Sequence, residues 1–163
     1  MTMSTEAKLS PHTTWLFAFG AIAAGIAVSF ALSGLGQKVT AAAYFAVVAI
    51  GGFGSTYLTR ARVRGAVLAF VTAGAVAAVA YFFLVHRIFA SATTTLASAA
   101  SGGAAAADGA KVGDTFGTLF GVFVGVIVFL ESIVAGIGGA IAGSKVRGQG
   151  GLAAIGALTR SAR

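Results

Sequence analysis

Residues 116–143 read FGTLFGVFVGVIVFLESIVAGIGGAIAG, an apolar run broken by a single ionisable side chain, Glu131. An α-helix rises about 1.5 Å per residue, so about 20 apolar residues cross the roughly 30 Å of hydrocarbon in a bilayer. This run is long enough, and three more of the same kind occupy residues 13–33, 41–58 and 65–85. In hydrocarbon every backbone N–H and C=O must be bonded within the protein, and a helix satisfies them within one segment. The pattern therefore predicts an all-α polytopic membrane protein, one membrane domain built as a bundle of four transmembrane helices.

Composition agrees. Of 163 residues, 58% are hydrophobic and 9% are charged, against about 25% charged in soluble domains. The absence of cysteine excludes disulfides, iron–sulfur clusters and thiolate metal sites. The net charge of +7 sits in short segments between the apolar runs. Basic residues so placed set topology and meet anionic headgroups of the lipid bilayer; they form no groove for nucleic acid.

Orientation follows from the same residues. With both termini cytoplasmic, Lys8, Arg60, Arg62, Arg64, Lys145, Arg147, Arg160 and Arg163 lie inside, and Lys38, Arg87 and Lys111 lie outside. That matches the excess of Lys and Arg expected on the cytoplasmic side. Arg60, Arg62 and Arg64, in the turn TRARVR (59–64), together with Lys145 and Arg147 are the expected headgroup contacts. Ser10 and Pro11 supply an N-cap and a first-turn proline for the first helix. Trp15, Tyr44 and Tyr57 fall near expected helix ends, where amphipathic rings prefer to lie. The Ala and Gly bias with this simple topology points to a bacterial-type cytoplasmic membrane. A cleaved leader ending near Ala31 and Ser33 is the alternative for the first run, but its apolar stretch exceeds the usual 7–15 residues and only Lys8, offset by Glu6, charges its flank.

Two segments differ from the spans. Residues 90–113, SATTTLASAASGGAAAADGAKVGD, resemble low-complexity sequence and are expected to form a flexible external loop that partly extends helix three. The alternative is a docking site for a soluble partner. Residues 144–163 read as a basic cytoplasmic tail, in which Leu152, Ile155 and Leu158 could form a short interfacial segment.

No constellation for catalysis emerges. GGAIAGSK (138–145) superficially suggests a phosphate loop, but Ser144 precedes Lys145 and the glycines belong to a membrane helix rather than to a strand-to-helix turn. His12 and His86 lie toward opposite membrane faces without a Cys, Asp or Glu at ligand spacing, so neither a metal nor a cofactor is expected. The acids are Glu6, Asp108, Asp114 and Glu131. A carboxylate pair or a Ser-His-Asp arrangement would have to be assembled across the bilayer, so an enzyme is not expected.

Small residues recur at a spacing of four. Helix four carries Gly117, Gly121 and Gly125, then Ser132, Gly136, Ala140 and Ser144; helix three carries Ala69, Ala73 and Ala77, and helix one Ala23, Ala27 and Ala31. Successive members drift by about 40° around the axis and form a shallow groove that admits another helix. Helix four has more of this groove than three partners in one bundle need. It therefore points to a homo-oligomer or to other membrane subunits.

Glu131 lies about 22 Å along the axis from Phe116, deep in the hydrocarbon. A charged side chain there costs at least about 2.5–3.5 kcal/mol. No Lys, Arg or His lies at that depth in any span, so the candidate contacts are neutral: Thr72, Ser55, Thr56 and Ser132. Glu131 also stands about 100° from the Gly125 and Ser132 groove, on a face with Ala135, Gly138 and Ala142. Three roles fit it: a protonated polar contact between helices, an ion or proton site, or an ion pair with another protein. The stretch IVFLESIVAGIGGAIAG (127–143) loosely resembles the glutamate-bearing fourth helix of V-type rotor proteolipids. That resemblance implies ion binding at Glu131, although the duplicated hairpin pattern of that family is not present and the predicted orientation is inverted.

The resulting expectation is a non-catalytic integral membrane subunit or scaffold that packs through helix four. The alternative is a proton- or cation-translocating subunit using Glu131. A weaker third reading presents Arg60, Arg62, Arg64 and the basic tail to anionic lipid as a membrane-surface adaptor.

Overall fold

A computed structural model describes residues 11–101 and 103–148. Helix α1 spans Pro11–Ala31, a 3-10 turn spans Ser33–Leu35, and α2 (Gln37–Tyr57), α3 (Val63–Ser101) and α4 (Gly103–Gly148) follow. There is no strand among the described residues. All four helices are long and apolar enough to cross a membrane, and the protein is a four-helix membrane bundle. Lys8, Ser10, Arg160, Arg163 and the tail residues Leu152, Ile155 and Leu158 lie outside the described residues.

The first two helices meet at a bend that only glycine permits. Gly36 has φ 96° and ψ 157°, a conformation a Cβ would oppose. Thr40 Oγ1 donates to the Gly36 carbonyl at 3.0 Å, and Ser29 Oγ donates to the Thr40 carbonyl at 3.3 Å. With the reversal fixed there, α2 starts at Gln37 rather than at Ala41. The α2–α3 turn is equally local. Leu58 N–H closes on the Gly54 carbonyl at 3.0 Å, Thr59 Oγ1 donates to the Ser55 carbonyl, and Thr59 Oγ1 accepts from Ala61 N–H at 3.2 Å. Arg60 takes the left-handed conformation, φ 54°, that commonly ends a helix.

The expectation of a loop at 90–113 is corrected. Helix α3 continues to Ser101 and α4 starts at Gly103, so each holds far more residues than the about 20 that cross hydrocarbon. Alanine, abundant here, is the best helix former. The hydroxyls that would favour a loop bond back to their own helix instead. Thr93 donates to Phe89 O at 2.8 Å, Thr94 to Ala90 O at 2.7 Å and Thr95 to Ser91 O at 2.9 Å.

The described residues form two compact units, one comprising those up to Ala73 together with those from Glu131 onward, the other Gly74–Leu130. In the first unit, α1 lies antiparallel to α2. Gly51 sits against Ala21, Gly54 against Phe17, and Gly25 against Tyr44 and Val48. The buried side of α1 is Ala18, Ala21, Ile22 and Gly25, while Ala23, Ala27 and Ala31 are exposed. The small-residue ladder read on helix one thus points outward, because Gly25 and Ala21 allow α2 closer on the other side. Phe70, fully buried, is the largest side chain of this core and covers Gly136. In the second unit, α3 and α4 run antiparallel along an unbroken glycine ladder, with Phe89 stacked on Phe120 at 5.2 Å.

Candidate functional site

The chemistry in the first unit is concentrated where α2 meets α4. Tyr44 sits well inside α2, is 6% exposed, and forms a 2.7 Å hydrogen bond between its hydroxyl and Ser132 Oγ. The sequence placed this ring at an interface near a helix end; the earlier start of α2 draws it into the core. Thr56 Oγ1 donates to the Ala140 carbonyl at 2.8 Å, and Ser55 Oγ to the Gly52 carbonyl at 2.7 Å. Arg147 Nη1 donates to the Thr56 carbonyl at 2.6 Å. That carbonyl belongs to the last turn of α2, where the helix supplies no acceptor-satisfying N–H of its own. Arg147, expected at headgroups, thus caps a neighbouring helix. Among the described residues, no buried side-chain N or O lacks a partner.

These bonds form because the two backbones come very close. A Cβ added to Gly52 would strike the Gly136 carbonyl, one on Gly139 the Ala49 carbonyl, and one on Gly143 the Phe53 carbonyl. Ser132, Gly136 and Ala140 are all buried in this contact, and Ser144 is half-buried. Tyr44 meets Ser132 while Thr56 meets Ala140 and Arg147, so α2 and α4 run in the same direction.

In the second unit the ladder predicted for docking faces α3 of the same chain. The Cβ position of Gly117 lies 3.1 Å from His86 Cα, that of Gly121 3.0 Å from the Phe82 carbonyl, and that of Gly125 3.0 Å from the Ala78 carbonyl. The ladder also extends beyond the predicted span, with Gly113 against Thr93 and Gly109 against Ala97. Its four-residue spacing from Gly109 to Gly125 is legible in the sequence, but it begins in the Ala- and Ser-rich stretch 90–113, whose composition resembles a loop. At the same end, His86 Nε2 and Asp114 Oδ1 stand 3.0 Å apart across the two helices. Neither residue announced the pair, since their separation in sequence carries no ligand-like spacing.

Glu131 is half-buried on α4. No ion pair reaches it among the described residues. Thr72, on α3, is half-buried, whereas the hydroxyls of Ser55, Thr56 and Ser132 are engaged in the bonds above. On the side of α4 that bears Glu131, Val134, Gly138 and Ala142 are exposed and Gly138 has no neighbour within 4 Å of its Cβ position, whereas Ala135 is buried. Arg60, Arg62, Arg64 and Lys145 are exposed. No three His, Asp or Glu side chains converge among the described residues.

Fold and site together define a small integral membrane protein whose fourth helix carries the half-buried carboxyl of Glu131. No family of proteins, curated protein or solved structure matches the chain, so the likeness of residues 127–143 to a rotor-proteolipid helix rests on that stretch alone.

Proposed function

We propose that the protein is a non-catalytic subunit or scaffold of a membrane assembly, homo-oligomeric or larger, with both termini cytoplasmic. The observation that carries this reading is the setting of Glu131. It is a half-buried carboxyl without an ion pair among the described residues, on an outward face of α4 with Gly138 and Ala142. A carboxyl left against lipid is costly, and small residues beside it let another helix approach. A partner helix covering this face offsets that cost by hydrogen bonding or by an ion pair. The interior polar groups hold α2 to α4, so they support a structural part rather than a substrate site. Docking moves from the glycine ladder, which α3 occupies, to the Glu131 face of the same helix.

Native mass spectrometry of protein extracted gently from its source membrane tests this. A defined oligomer or co-purifying complex is expected, and Gly138→Leu should disperse it while leaving the helical content unchanged. A monomer from the wild-type membrane would overturn the proposal.

The same outward placement favours one second reading, a proton- or cation-translocating subunit in which Glu131 carries the ion. Under it, Glu131→Gln abolishes flux in reconstituted vesicles while the assembly persists. Wild-type vesicles without flux, or unchanged flux in the variant, remove it.

A further inference from the structure

We infer that the second unit holds one glycerophospholipid, its acyl chain in an apolar groove between α3 and α4 and its phosphate on Arg87. The groove has a volume of about 470 Å³ and is lined by Ala78, Val79, Phe83, Val122, Val126 and Phe129 among others, all of them apolar. Gly121 and Gly125 form its floor, where α4 closes directly on Phe82 and Ala78. Its volume falls within the range of about 300–1,000 Å³ typical of single-ligand sites. From Ala75, at its deep end, to Arg87 the α3 axis rises roughly 18 Å, close to the roughly 15 Å that is half a hydrocarbon layer. That is the reach of one leaflet, so an occupant with its tail by Ala75 has its headgroup beside Arg87.

Charge selects the headgroup. Beyond the groove, this unit bears His86, Arg87, Asp108, Lys111 and Asp114 at successive levels along the hairpin. Asp114 is taken by His86 at 3.0 Å and Asp108 by Lys111 at 3.7 Å. Arg87 is exposed and has no ion pair among the described residues. It follows Phe83 of the groove wall by one helical turn, and a guanidinium binds phosphate oxygens through paired N–H donors. Its long stem follows apolar surface to reach the headgroup level. A transmembrane helix from a partner would cover the groove equally well but would leave Arg87 without its anion, which is why the lipid is preferred.

The test is native mass spectrometry of the detergent-solubilised protein titrated with phosphatidylglycerol, with diacylglycerol of the same chains as the phosphate-free control. Wild type should retain one phosphatidylglycerol and bind diacylglycerol at least tenfold more weakly. Arg87→Gln should raise the Kd for phosphatidylglycerol at least tenfold, and Arg87→Lys should largely restore it. Val122→Trp should block the groove, with Val79→Phe as a second filler if the first does not fold. Equal binding of the two lipids, wild-type affinity in Arg87→Gln, or no retained lipid at saturating phosphatidylglycerol would each overturn the inference.

Discussion

Gly138 and Gly139 are neighbours in sequence with opposite surroundings. A methyl group on Gly138 meets nothing within 4 Å, whereas one on Gly139 strikes the Ala49 carbonyl of α2. Backbone cannot yield as a flexible side chain does, so Gly139→Ala should cost about 1–3 kcal/mol through overpacking. Gly138→Ala should stay within about 0.5 kcal/mol of wild type. Reversible unfolding in mixed micelles measures both, and equal stabilities would contradict the α2–α4 contact described here. The Tyr44–Ser132 bond is testable in the same way. Tyr44→Phe and Ser132→Ala should each cost about 0.6 kcal/mol, the average for hydrogen bonds between membrane helices, and at most about 1.7 kcal/mol. The double variant should cost less than the sum of the two, because both single variants break the same hydrogen bond. Strict additivity would mean the two side chains do not interact. Nothing in the sequence paired them. A tyrosine near a predicted helix end reads as interfacial, and only the true start of α2 places it in the core.

At the scale of elements, the α3–α4 hairpin carries the main departure from expectation. Ser, Thr, Ala and Gly in residues 90–113 look like a loop by composition, yet the threonines bond back to their own helix and Gly109 and Gly113 admit α3. Spin labels at single cysteines introduced from 90 to 99 should show mobility oscillating with a period of 3.6 residues, least mobile near Thr93 and Ala97. A flat, mobile profile would restore the loop. The glycine spacing was the available signal, since five glycines at every fourth position mark one continuous helix face. The run crosses the boundary where hydropathy falls, and hydropathy reports the membrane edge rather than the end of a helix. Helix α1 shows the same limit of sequence pattern. Ala23, Ala27 and Ala31 have the spacing of a packing face but are exposed, and spacing alone cannot say which of two small-residue faces a neighbour takes.

For the whole molecule, the distribution of Lys and Arg predicts that the TRARVR turn and the α3–α4 hairpin lie on opposite sides of the membrane, with the turn cytoplasmic. The chain contains no cysteine, so single substitutions report position without background. Arg62→Cys should react with an impermeant maleimide only from the cytoplasmic face and Thr95→Cys only from the other. Labelling of both from one face would exclude this topology.

What the sequence determined by itself is the class of the protein. Four apolar runs without soluble-domain charge leave membrane-spanning helices as the structure that satisfies the backbone, and that argument needs no tertiary contact. That no Lys, Arg or His lies at the depth of Glu131 within the four apolar runs was legible in the same way, since it follows from where the charges are in the sequence. Which helix each small residue touches was decided only by tertiary structure. Alanine and glycine are compatible with every close approach, so their pattern permits contacts without choosing among them. The choice was made by carbonyls, by Phe70 and by the Tyr44 hydroxyl, whose partners lie on other helices. It turned the Gly109–Gly125 ladder inward against α3 and left Glu131, Gly138 and Ala142 on the face where a partner is proposed to dock.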